Sequence, residues 1–134
     1  MSTIVVGYVA KPEGQAALRQ AVVEARLRDA EIVVVNSARG GADFDDEDAF
    51  RAESDQDAVR AYLADEGVAA TVRQLVRGQE VSEDLVAVAE ETSADMIIIG
   101  LRRRSPVGKL LLGSNAQRIL LDAPCPVLAV KADG

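Results

Sequence analysis

Met96-Ile97-Ile98-Ile99-Gly100-Leu101-Arg102-Arg103-Arg104 opens with four apolar, mostly β-branched residues, meets a glycine and turns basic within three positions. A run of four is too short for a helix, and its bounding glycine and arginines predict a buried strand that delivers the chain into a basic loop. Three runs of the same character lie far from it, Ile4 to Val9, Ile32 to Val35 and Val127 to Val130. Near-continuous apolar strands are what a parallel sheet covered on both faces requires; a sheet with one wet face would alternate. A fifth, weaker run, Ala69 to Val76, sets Val72 beside Arg73 and stops before Gly78, which predicts an edge strand.

Between these runs the apolar period changes from 2 to 3.6. From Glu13 to Ala30 it passes through Ala17, Leu18, Ala21, Val22 and Ala25, with Pro12 suited to the opening turn. From Phe50 to Leu63 it passes through Ala58, Ala61 and Tyr62, and from Gln79 to Thr92 through Val81, Leu85, Val88 and Ala89. A last helix, Ser114 to Leu121, follows Gly113, with Ser114 placed to cap its exposed amides. Arg39 to Ala49, rich in Gly and Asp, reads as the one long flexible loop. Strand and helix thus alternate from end to end, which predicts a single α/β domain over residues 1–134, a doubly wound five-stranded parallel sheet with helices on both faces.

Composition removes several function classes. With no histidine and one cysteine, Cys125, the chain has no Cys/His metal cluster, no His-based triad and no internal disulfide. Aromatics are 3% and net charge is -7, so neither a base-stacking platform nor a phosphate-backbone interface is expected, and no nucleic-acid partner. No run approaches the length of a membrane span, and the chain enters Ile4 without a leader pattern, so a cytoplasmic protein with no membrane partner is expected. The charge is uneven: residues 43 to 57 hold eight acids against Arg51, while no acid falls between Asp95 and Asp122, where Arg102, Arg103, Arg104, Lys109 and Arg118 stand. The acidic stretch lacks the spaced ligands and glycine of a calcium loop and reads as solvated chain, so no metal site is assigned.

In a doubly wound sheet, ligands collect at the carboxyl ends of strands where strand order reverses. The loop after the fourth strand, Gly100 to Asn115, combines glycines, cationic side chains and a helix start, the ingredients of a phosphate cradle. A solvated surface arginine cluster is the alternative reading. The loop is not a Walker A motif, because Leu110 follows Gly108-Lys109 where a magnesium-binding Ser or Thr is needed. A phospho-accepting receiver domain is excluded as well, since Val9-Ala10-Lys11 and Arg77-Gly78 supply no acids after strands one and three.

The strand ending in Gly100, the basic loop, Leu110-Leu111-Leu112-Gly113-Ser114, a short helix and Pro124-Cys125-Pro126-Val127-Leu128 together resemble the universal stress protein family. The resemblance runs from Ile4-Val5-Val6-Gly7 to Val130-Lys131, and it implies strand order 3-2-1-4-5, a homodimer through the last strand and, in many members, ATP binding. Nucleotide-binding members carry Gly, two residues, Gly, nine residues, Gly, then Ser or Thr. Here Gly100, Gly113 and Ser114 match, while Arg103 replaces the second glycine. Those members also have an Asp after the first strand's Val-Gly-x, where this chain has Val9. Both departures weaken or remodel the same site. The implied cofactor is ATP or another adenine nucleotide, with or without Mg, over Val9, Ala10, Asn36, Gly100, Arg102, Arg103, Gly113, Ser114 and Asn115.

Three readings of function follow. The first is a nucleotide-binding regulatory module of the stress response that engages a protein partner of unknown identity. The second is a dimeric interaction module whose anion site is vacant or remodelled. The third is at most a slow ATP hydrolase or autophosphorylating protein, since no catalytic constellation accompanies the cradle. Cys125, between two prolines and before an apolar strand, reads as a small core residue rather than a reactive thiol.

Overall fold

The computed structural model describes residues 2–9, 12–38, 46–76, 81–101 and 114–132. Element order is β1 (Ser2–Tyr8), α1 (Pro12–Arg28), β2 (Ala30–Ala38), α2 (Asp46–Asp65), β3 (Ala70–Val76), α3 (Val81–Thr92), β4 (Met96–Leu101), α4 (Ser114–Asp122) and β5 (Val127–Lys131). All neighbouring strands pair in parallel, in the order β3-β2-β1-β4-β5, so the expected doubly wound sheet is present with β3 and β5 at its edges.

Strand alternation divides the core in two. Ile4, Val6 and Tyr8 of β1, Ile32 and Val34 of β2 and Ile98 of β4 share one face with Ala17, Leu18, Ala21 and Val22 of α1 and Val59 and Leu63 of α2. Val5, Val33, Val35, Ile97 and Ile99 point the other way, onto Leu85, Val88 and Ala89 of α3 and Ile119 of α4. A strand buried on both faces has no polar side to show, which is why these runs are continuously apolar. Among the described residues no helix is long and apolar enough to cross a membrane.

Helix ends follow backbone chemistry. Pro12 is the first residue of α1, where its missing N–H costs nothing. Past α2, Gly67 takes φ 70° while its N–H and that of Val68 reach back to the Ala64 and Leu63 carbonyls, a Schellman closure. Past α3 the same closure is made by Ser93 at φ 52°, with the Ser93 and Ala94 N–H groups donating to Glu90 and Ala89.

Two expectations need correction. The stretch Arg39 to Ala49 is not loop throughout, because α2 begins at Asp46; acidic residues are favoured at the positive end of a helix dipole, so Asp46, Glu47 and Asp48 suit a first turn. Residues 39–45 lie outside the described residues. The inward face of α2 also differs from the expected one: Ala58 and Ala61 are exposed and Tyr62 half-buried, while Val59 and Leu63 are buried. The larger aliphatic pair at i and i+4 removes more apolar area than alanines can, and it sets the helix's rotation.

Candidate functional site

The sheet opens where its strand order reverses. β1 and β4 pair at Ile4↔Met96, Val5↔Ile97 and Val6↔Ile98 and no further, although β1 continues to Tyr8 and β4 to Leu101. On either side the ladders persist, through Tyr8↔Asn36 between β1 and β2 and through Leu101↔Lys131 between β4 and β5. The carboxyl ends of β1 and β4 therefore form a fork with unpaired backbone along its inner edges, the geometry that creates a ligand crevice in this architecture.

The first turn of α1 lies across one side of that fork. A Cβ on Gly100 would overlap the Glu13 carbonyl oxygen, and a Cβ on Gly14 would overlap the Val9 carbonyl oxygen. Consecutive residues Glu13 and Gly14 thus bridge β4 and the end of β1, and the contact is possible because both glycines lack a side chain. Gly100 is in this way first a packing glycine. Gly14 was missed in the sequence, although a glycine in a helix's first turn costs propensity and so signals close approach.

α4 approaches from the opposite face, with Ile119 and Ala116 packed into the cluster that holds Ile97 and Ile99. Its amino end supplies N–H groups without intrahelical partners. Asn115, its second residue, is half-buried. Asn36 is half-buried in register with Tyr8, and Val9 is 38% exposed at the end of β1. The structure thus gathers Val9, Asn36 and Gly100 at one end of the sheet, and Ser114 and Asn115 open α4. Ala10, Arg102, Arg103 and Gly113 lie outside the described residues.

The electrostatics divide the two helix ends. Glu13 places a carboxylate in the first turn of α1 and there complements the dipole itself. α4 has no acid in its first turn. Of the two, α4 is the end left for an anion. Far from the fork, burial and then the charge of Asp95 push the half-buried Cys125 thiol above its ordinary pKa. The thiol stays protonated at neutral pH, as a core residue should and a nucleophile should not.

The family model for the universal stress protein family matches residues 1–131. A universal stress protein of Mycolicibacterium smegmatis is 45% identical over 131 residues, with 98% of each chain covered. The solved structure of a universal stress protein from Archaeoglobus fulgidus superposes with a TM-score of 0.86 at 39% identity, covering 98% of this chain and 99% of that one. The structure of a universal stress protein from the same organism in complex with dAMP superposes with a TM-score of 0.80 at 33% identity, covering 98% of both chains.

Proposed function

The chain belongs to the universal stress protein family, and from that premise we propose that it is an adenine-nucleotide-binding regulatory module of the stress response. The observation that carries the reading is the fork between β1 and β4, with its unpaired strand ends at the reversal point. A chain 33% identical and of the same fold was solved with dAMP, which supports an adenine nucleotide as the ligand class.

The residues divide the ligand between them. With the α-carbon face of Gly100 taken by Glu13, phosphate contact falls to the amino end of α4, to Gly113, Ser114 and Asn115, and to the cations Arg102 and Arg103. Val9 offers the adenosine apolar surface and no side-chain hydrogen bond, so Asn36 and the backbone of residues 9 and 10 carry what polarity there is. ATP with Mg is the form proposed, its charge matching the arginines. Occupancy would bias the loop after β4, and that loop would signal to a protein partner.

Val9 favours a second reading, in which the site is remodelled and the protein acts as a dimeric interaction module. The dimer is proposed under either reading. β5 is an edge strand with Val127, Leu128 and Val130 only half-buried, and Leu120 of α4 is 43% exposed. Pairing two such edges would cover both apolar surface and open backbone. Mass spectrometry of denatured, freshly purified protein tests the ligand class: a released adenine nucleotide supports the first reading, and its absence supports the second.

A further inference from the structure

The chain has two tyrosines, Tyr8 and Tyr62, and both line one cleft of about 290 Å³ between α1 and α2. Its other lining residues are Gln15, Leu18, Arg19, Ala58 and Val59. Tyr8, Leu18 and Val59 are buried and form the apolar interior, whereas Gln15, Arg19 and Ala58 are exposed at the rim. On α1, Arg26 pairs with Glu66 at 2.8 Å and Arg28 with Glu24 at 3.2 Å. Arg19 has no ion pair among the described residues, and Asp57, beside Ala58 in the chain, is turned to Arg60 at 3.5 Å.

We propose that this cleft binds a small aromatic carboxylate, its ring held between the two tyrosines and its carboxylate held by Arg19 and Gln15. The volume is at the lower end of the range for small-molecule pockets, which restricts the occupant to about one ring. Aromatic walls favour an aromatic body through offset or edge-to-face contacts. A guanidinium at the rim selects a carboxylate and lets it remain partly hydrated, which avoids the cost of burying the charge. The cleft lies against the α1–α2 face of the sheet, whereas α4, which the nucleotide proposal uses, lies on the other. The cleft nonetheless reaches the carboxyl end of β1, where Tyr8 pairs with Asn36 and precedes Val9, so the two sites are neighbours.

Benzoate is the probe, with benzyl alcohol as its uncharged counterpart, and the readout is NMR of protein carrying ring-labelled tyrosine. Because both tyrosines line the cleft, saturable shifts of both ring signals are expected in wild type. Arg19→Gln should weaken benzoate about tenfold, the size of one lost charge-assisted hydrogen bond, and leave benzyl alcohol unchanged. Ala58→Phe should abolish both by filling the cleft, with circular dichroism checking that it folds. Unmoved tyrosine signals in wild type would overturn the proposal. So would equal benzoate affinity in wild type and Arg19→Gln.

Discussion

Gly100 of β4 lies so close to Glu13 of α1 that a methyl group on it would overlap the Glu13 carbonyl oxygen. The obstacle is backbone, which cannot rotate aside, so the first turn of α1 stays across the fork only while residue 100 has no side chain.

Gly100→Ala and Gly14→Ala should each cost more than about 2 kcal/mol of stability, as overpacking against a fixed backbone does. At Gly7 the added carbon would meet the Leu85 Cδ1 at 2.8 Å, the movable end of a side chain. Gly7→Ala should therefore cost less. Urea denaturation of the three variants checks the order, and equal losses at positions 7 and 100 would contradict it.

Ser93 holds a left-handed φ of 52° at the end of α3, a conformation that costs a residue with a Cβ about 1–2 kcal/mol. Ser93→Gly should stabilise the protein by about 0.5–1 kcal/mol once glycine's greater unfolded-state entropy is offset. A raised urea midpoint with unchanged slope is the expected sign.

Cys125, raised above its ordinary pKa by burial and by Asp95, should react slowly with iodoacetamide at neutral pH. The unfolded chain releases the thiol proton at lower pH than the folded one. From this group, then, stability is full below the unfolded thiol pKa and falls as pH rises through it. Alkylation as fast as that of a free thiol at pH 7 would contradict the core reading.

The dimer proposed through β5 should give light scattering at about 28 kDa, twice the 14.2 kDa chain, at micromolar concentration. A mass of one chain under those conditions would remove it.

What was legible in the sequence was what local chemistry decides. Ile32 to Val35 and Met96 to Ile99 could only be covered strands, Arg73 beside Val72 marked an edge, and Pro12 marked a helix start. The amino end of α2 was hidden because Gly40, Gly41 and the acids read as loop, although those same acids suit a first turn. The rotation of α2 onto Val59 and Leu63 was hidden because Ala58, Ala61 and Tyr62 offer a competing apolar stripe. At the site, the pattern Gly100, Gly113, Ser114 singled out the end of β4 and the start of α4. It could not show that Gly100 meets Glu13, since a close approach of two backbones distant in sequence leaves no local period to read.

Titration calorimetry with ATP and magnesium, on wild type and on Gly113→Val, tests the nucleotide-binding account most directly. The account predicts one saturable site per chain in wild type and an affinity at least about tenfold weaker in Gly113→Val, from crowding the amides at the start of α4, with an unchanged melting temperature. No binding to wild type, or equal binding to the two proteins, would contradict it.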